Sequence, residues 1–170
     1  GEMAADYNLY TWNEWSRQFW KQMGLVWDTV PLELNYQELK KRKLHGSEMV
    51  VYGYLPIMVS AQCQTKNHLG CTGKEKTLYL KDRKQKQFPV TNRCSFCYNI
   101  IYNSTALELA DNFDEIVGMK PRCVRLQFTM EDAKETAQII SDYADVFLNG
   151  KRSIRNMKEF TRGHFKRGVE

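Results

Sequence analysis

Apolar positions along the chain switch between a period of two and a period near 3.6, and the switches predict alternating strands and helices. Asn8-Leu9-Tyr10-Thr11 reads as a strand, and Asn13 can cap a helix running from Glu14 to Met23 that Gly24 stops. Trp27 to Leu34 reads as a second strand broken by Pro31. Asn35 can then cap a helix containing Gln37, Glu38, Leu39 and Lys40 that ends near Gly46. Met49–Tyr54 and Pro56–Ser60 form a near-continuous apolar run, the pattern of a strand buried on both faces of a parallel sheet. The regularity then stops. Residues 61–103 are rich in cysteine, lysine and polar groups, and two short alternating segments, Thr77–Leu80 and Gln87–Val90, flank Asp82-Arg83-Lys84 as an inserted hairpin would. Helical periodicity returns at Ala106–Val117, followed by a strand at Cys123–Phe128 and a helix from about Glu131 to Leu148. Thr129 is the expected cap of that helix, with Asp132 three residues on.

Strands alternating with helices at this spacing predict a parallel α/β architecture of about four units. A complete eight-unit barrel takes roughly 250 residues. The expected fold is therefore half of a TIM-type (β/α)8 barrel carrying an inserted cysteine-rich hairpin. The parts would be β/α units over 1–60, the cysteine-rich insertion over 61–103, a helix-strand-helix segment over 104–148 and a basic tail over 149–170. Either the chain is cut from a longer protein or two copies complete one another. Open strand edges recruit another chain, so the missing amino-terminal half or a homodimer partner is expected. Gly1, ahead of Glu2 and Met3, reads as a residue left by tag cleavage and is set aside.

A hydrophobic fraction of 42% in 170 residues is enough for a folded core. No run approaches the roughly 18 apolar residues of a membrane helix, and no basic segment precedes an apolar one at the start, so a soluble cytoplasmic protein is expected. From 151 to 170, seven lysines and arginines face two glutamates, which accounts for the whole formal charge of +5. Such a tail can grip an RNA backbone or an acidic surface, or stay solvated.

All five cysteines fall between 63 and 123, an odd number that argues against a disulfide framework. Cys94-Ser-Phe-Cys97 is a C-x-x-C turn, the spacing that lets two thiolates reach one ion. Cys63 and Cys71 lie eight apart in a loop with Gly70 and Gly73. Four thiolates from two loop pairs suit tetrahedral zinc or an iron-sulfur cluster, and spacing leaves the two tied. Lys66, His68, Lys74, Lys76 and Arg93 surround them and favour thiolate formation. Cys123, alone inside its strand, reads as a core residue.

Glu33 stands where a strand ends, and in a barrel that end carries the chemistry. Glu48 begins its strand and Glu38 lies on a helix, which suits structural or solvated roles. Arg125 and Gln127 alternate on one face of the Cys123 strand, so Arg125 would meet an anionic substrate or a structural carboxylate. Glu33, Arg125 and Gln127 are the catalytic candidates. His164 reads as a capping or core histidine more than as a base. No Ser-His-Asp order or H-E-x-x-H is present.

The stretch Glu48-Met-Val-Val-Tyr-Gly53-Tyr-Leu-Pro-Ile-Met-Val-Ser60-Ala-Gln-Cys63 resembles the signature of the U32 peptidase family, the collagenase-like proteases, with Glu48, Gly53, Ser60 and Cys63 at matching spacing. Segments 31–39 and 161–169 are also similar to that family. The collagenase-type signature has a cysteine at the position of Pro56 and a glycine at that of Ala61. The resemblance implies the carboxyl-terminal half of a (β/α)8 barrel with a cysteine-ligated [4Fe-4S] cluster at Cys63, Cys71, Cys94 and Cys97, replaced by zinc in protein purified in air. Proteolysis of a peptide is the first activity it implies, and oxygen-independent hydroxylation of RNA bases or of a quinone precursor the alternative. A third reading, from the residues alone, is an RNA-binding module in which zinc is structural and Lys74, Lys76, Lys81, Arg83, Lys84 and Lys86 grip phosphates.

Overall fold

The computed structural model describes residues 1–71, 73–151 and 159–167; of the basic tail, 152–158 and 168–170 lie outside the described residues. In chain order the elements are β1 (Met3–Ala5), α1 (Glu14–Gln22), β2 (Leu25–Thr29), α2 (Tyr36–Arg42), β3 (Ser47–Gly53), β4 (Pro56–Ser60), α3 (Gln64–Leu69), β5 (Thr77–Lys81), β6 (Gln87–Arg93), β7 (Tyr98–Tyr102), β8 (Leu107–Glu108), α4 (Phe113–Gly118), β9 (Cys123–Gln127) and α5 (Ala133–Phe147). They form two compact units, Gly1–Gly53 with Leu107–Glu170, and Tyr54–Ala106. Among the described residues no helix is long and apolar enough to cross a membrane.

In the first unit β1, β2, β3 and β9 pair side by side, in parallel and in chain order. β8 adds antiparallel to the end of β3, Tyr52 opposite Glu108 and Gly53 opposite Leu107. The fold is mixed α/β, and the sheet is open: among the described residues β1 and β9 each have one strand neighbour. Every residue of β3 is buried, as its apolar run predicts, and Leu39, Leu44, Leu109, Ile116, Ile139 and Tyr143 complete the core. β3 and β9 approach so closely that a Cβ on Gly53 (φ +139°) would lie 2.2 Å from the Gln127 carbonyl oxygen, which is why glycine stands there.

Local signals place the helix starts. The Asn13 side chain accepts from the Ser16 amide at 3.0 Å, and Asn35 and Glu38 cap α2 reciprocally at 3.0 and 2.8 Å. Three expectations are corrected. Residues 8–11 are not a strand, because the chain coils through a 3-10 turn at Tyr7–Leu9 and Tyr10 turns left-handed (φ 48°); the strand is the three-residue β1 before it. Of the expected 106–117 helix, Ala110–Asn112 form only a 3-10 turn and the α-helix begins at Phe113, because Leu107 and Glu108 are drawn into the sheet. α5 is capped by Asp132 with Glu135, not by Thr129.

The described part of the tail is anchored at a few points although most of its residues are exposed. Phe165 is buried and its carbonyl accepts from the Tyr36 amide at 2.8 Å, while Arg162 and Lys166 pair with Asp111 and Glu115, each at 2.9 Å.

The second unit is an antiparallel sheet in the order β4-β7-β6-β5, with α3 between β4 and β5. Pro56–Ser60 is therefore no part of a buried parallel strand: it pairs antiparallel with β7, and Ile57, Met58 and Val59 are exposed. The insertion runs from 54 to 106, not from 61 to 103, and holds four strands where a hairpin was expected.

Candidate metal centre

The chain reverses between β6 and β7 through the C-x-x-C turn. Cys94–Phe96 form one 3-10 turn, and Cys97 closes it in the left-handed region (φ 53°) with its amide on the Cys94 carbonyl at 3.4 Å. Cys63 occupies the cap position of α3, its sulfur accepting from the Lys66 amide at 3.5 Å. Gly70, at φ +78°, ends that helix just before Cys71. All four cysteines line one cavity of about 240 Å³, together with Gln62, Lys66, Asn67, Asn92, Arg93 and Tyr98 among others. Among the described residues no three His, Cys, Asp or Glu side chains already stand as ligands around a single point.

The donor set fits a soft metal centre. Burial pushes the pKa of the Cys94 thiol above its ordinary value, and the Cys63, Cys71, Glu75 and Cys97 groups push it the same way. Cys94 is thus within electrostatic reach of the other three cysteines, and a cation among their sulfurs would offset that repulsion while displacing protons. Lys66 and Arg93 line the same cavity and would offset the negative charge of a four-thiolate centre; Arg93 also pairs with Glu75 at 3.5 Å.

Two buried asparagines hold the cysteine segments together. Asn92 and Asn99 face each other across β6 and β7, two residues before Cys94 and two after Cys97. The Asn99 side-chain amide donates to the Gln62 carbonyl at 2.6 Å and to the Ser60 carbonyl at 3.4 Å, which ties down the segment entering Cys63. Asn92 bonds to the Thr65 hydroxyl on α3. The side-chain carbonyl oxygens of both asparagines are buried without a partner among the described residues. The pattern Asn-Arg-Cys-Ser-Phe-Cys-Tyr-Asn, with an asparagine placed symmetrically on each flank of the turn, was the readable signal for this pair.

The catalytic candidates lie in the first unit. Glu33 is half-buried in the turn after β2, and among the described residues no hydrogen bond or ion pair joins it to Arg125 or Gln127. Arg125 pairs with Glu48 and, at 2.8 Å, with Asp6, and it donates to Thr29 at 3.0 Å. Burial would lower its pKa, but the Asp6 and Glu48 carboxylates hold it above the ordinary value. The structural carboxylate of the two alternatives for Arg125 is thus present in its surroundings. Gln127 donates to the Tyr7 hydroxyl at 3.4 Å. Glu48 is buried, accepting from Thr29 at 3.0 Å and from the Cys123 thiol at 3.5 Å. Cys123 is exposed rather than part of the core, because among the described residues its strand has a neighbour on one side only. His164 is exposed.

Compared with family models, with curated proteins and with solved structures, the chain matches none.

Proposed function

We propose that the chain is the carboxyl-terminal half of a U32-type enzyme domain whose Cys63, Cys71, Cys94 and Cys97 hold a [4Fe-4S] cluster. The observation that carries this reading is the convergence of all four cysteines on one cavity. Four parallel strands in chain order, ending in open edges at β1 and β9, support half of a barrel that a second copy or a preceding half completes. The exposed stripe of Trp15 and Phe19 on α1 and Met23 at its end supports the same need for a covering partner.

Such a cluster, when bound, supplies electron transfer or Lewis acidity; the chain contributes the four thiolates, the offsetting Lys66 and Arg93, and the asparagine braces. The reaction served is peptide hydrolysis in the peptidase reading, and hydroxylation of an RNA base or quinone precursor in the alternative.

Metal analysis and an optical spectrum of protein prepared without oxygen test the proposal. Brown protein containing iron and sulfide is the expected result, and C94S and C97S should abolish both. Protein that binds neither iron nor zinc, with stability unchanged in the serine variants, overturns it. Colourless protein with one zinc, together with RNA affinity that falls steeply with salt, would instead favour the binding module, for which the exposed Lys81, Arg83, Lys84 and Lys86 are available.

A further inference from the structure

We infer that Cys71 is the exchangeable ligand of the four: Cys63, Cys94 and Cys97 hold the metal, and an incoming oxygen or nitrogen donor takes the position of Cys71. The inference rests on the four-cysteine reading above and adds which ligand gives way. Local contacts hold three of the cysteines. Cys63 caps α3, its sulfur accepting from the Lys66 amide at 3.5 Å and its carbonyl from the Asn67 amide at 3.0 Å, while Asn99 fixes the preceding Gln62 carbonyl at 2.6 Å. Cys94 and Cys97 belong to one closed turn whose ends enter paired strands, Arg93 opposite Tyr98, and the Cys97 thiol donates to the Cys94 carbonyl at 3.8 Å.

Cys71 differs. Among the described residues neither its sulfur nor its backbone has a hydrogen-bond partner. Cys97 is exposed as well, so exposure does not separate the two; support from the chain does. Cys71 lies between Gly70 (φ +78°) and Gly73 (φ +64°), and a Cβ on either glycine would meet nothing within 4 Å among the described residues. Neither glycine serves a close approach, so what the pair gives the chain is backbone freedom around one ligand.

A thiolate fixed by its turn rebinds from where it stands, and its release frees little of the chain. A thiolate on a free segment gains conformational entropy on release, which makes Cys71 the most readily displaced of the four. The exchange breaks the bond from metal to Cys71 sulfur and forms one to the donor; the released thiolate takes a proton from water, and no electron moves. Without a donor all four stay bound. A centre closed by four fixed thiolates has no position for a substrate atom, whereas one replaceable ligand supplies the open position that catalytic metal sites keep.

Cobalt(II), titrated without oxygen into the full chain against a chromophoric chelator, is the probe. Cys71→Ala should weaken cobalt binding only about 10- to 100-fold, the loss typical of removing a supporting group, and keep most of the thiolate-to-cobalt band. Cys63→Ala and Cys94→Ala should abolish measurable binding. Equal losses in the three variants overturn the inference. A second readout uses the wild type: imidazole added to cobalt-loaded protein should lower the band by about a quarter, one sulfur bond of four, and add Cys71 to Cys123 among the thiols that mass spectrometry finds alkylated. Imidazole that leaves Cys71 as protected as Cys94, or that opens all four alike, overturns the inference while the four-cysteine reading stands. If wild-type protein gives no thiolate-to-cobalt band at all, that reading itself falls. Wild-type affinity with an undiminished band in Cys71→Ala removes Cys71 from the ligand set and overturns both.

Discussion

Asp28 on β2 accepts from Thr11, from Ser47 at 2.7 Å and from Arg42, with Arg17 a further 3.5 Å away, all of them buried. Burial alone would raise the Asp28 pKa, but the Thr11 hydroxyl, Arg42, Ser47 and Arg17 outweigh it and hold the carboxyl below its ordinary value. A depressed folded-state pKa stabilises above the unfolded value, about 3.9, and that stability is lost as pH falls through it toward the folded one. Urea denaturation should therefore show Asp28→Asn losing the acid limb of the wild-type profile below about pH 4. Arg42→Ala leaves the carboxylate buried without its closest cation and should cost about 3–5 kcal/mol at neutral pH. The exposed Cys123 supplies a second residue-scale test. Burial and the Glu48 carboxylate hold its thiol pKa above the ordinary value, so alkylation at neutral pH should be slow and quicken as pH rises. In metal-loaded protein Cys123 should be the one thiol modified, and chelation should expose four more to mass-spectrometric counting.

At the scale of elements, the caps and one glycine carry the sharpest expectations. Asp132 accepts from the Glu135 amide at 2.8 Å, whereas the Thr129 hydroxyl is buried without a partner among the described residues. Asp132→Ala should lower stability by about 1 kcal/mol, while Thr129→Val should be neutral or slightly stabilising in the same chemical denaturation series. Gly53→Ala forces β3 and β9 apart or strains the backbone, and should rank with the most damaging single substitutions, at about 3 kcal/mol or more. Asn13 and Asn35 were legible as caps because a cap is a contact over three residues. Asp132 was missed in favour of Thr129 because both begin plausible capping boxes, and packing at the Glu131 turn chose between them: Glu131 itself accepts from the Thr129 amide at 2.7 Å.

At the scale of the molecule, all four tryptophans (Trp12, Trp15, Trp20 and Trp27) lie in the first unit, and all four proposed ligands lie in the second. Chelation should therefore lower the far-ultraviolet melting transition contributed by 54–106, because metal affinity adds directly to folding stability, and leave the transition followed by tryptophan fluorescence in place. Equal shifts in both signals would refute independent stabilisation. Trp15, Phe19 and Met23 follow i, i+4, i+8 spacing and are 81%, 54% and 61% exposed, and the sheet of the same unit has open edges among the described residues. Light scattering should show self-association that the double variant Trp15→Glu, Phe19→Glu reduces. A dilute wild-type monomer would count against completion by a second copy.

The first two helix starts, the buried β3 run, the β5–β6 hairpin and the C-x-x-C turn could be read in advance because each is settled by contacts or periodicity within a few residues. Features that depend on partners distant in the chain could not. An apolar run such as Pro56–Ser60 reads the same in either sheet, and only its antiparallel pairing with β7 assigns it to the second unit and leaves its side chains exposed. Cys123 carries no local mark of exposure, which comes from the missing neighbour of β9. The cysteine spacing named the four thiols, but spacing holds no information about the amides that brace them; Asn92 and Thr65, 27 residues apart, meet only because α3 folds back onto β6.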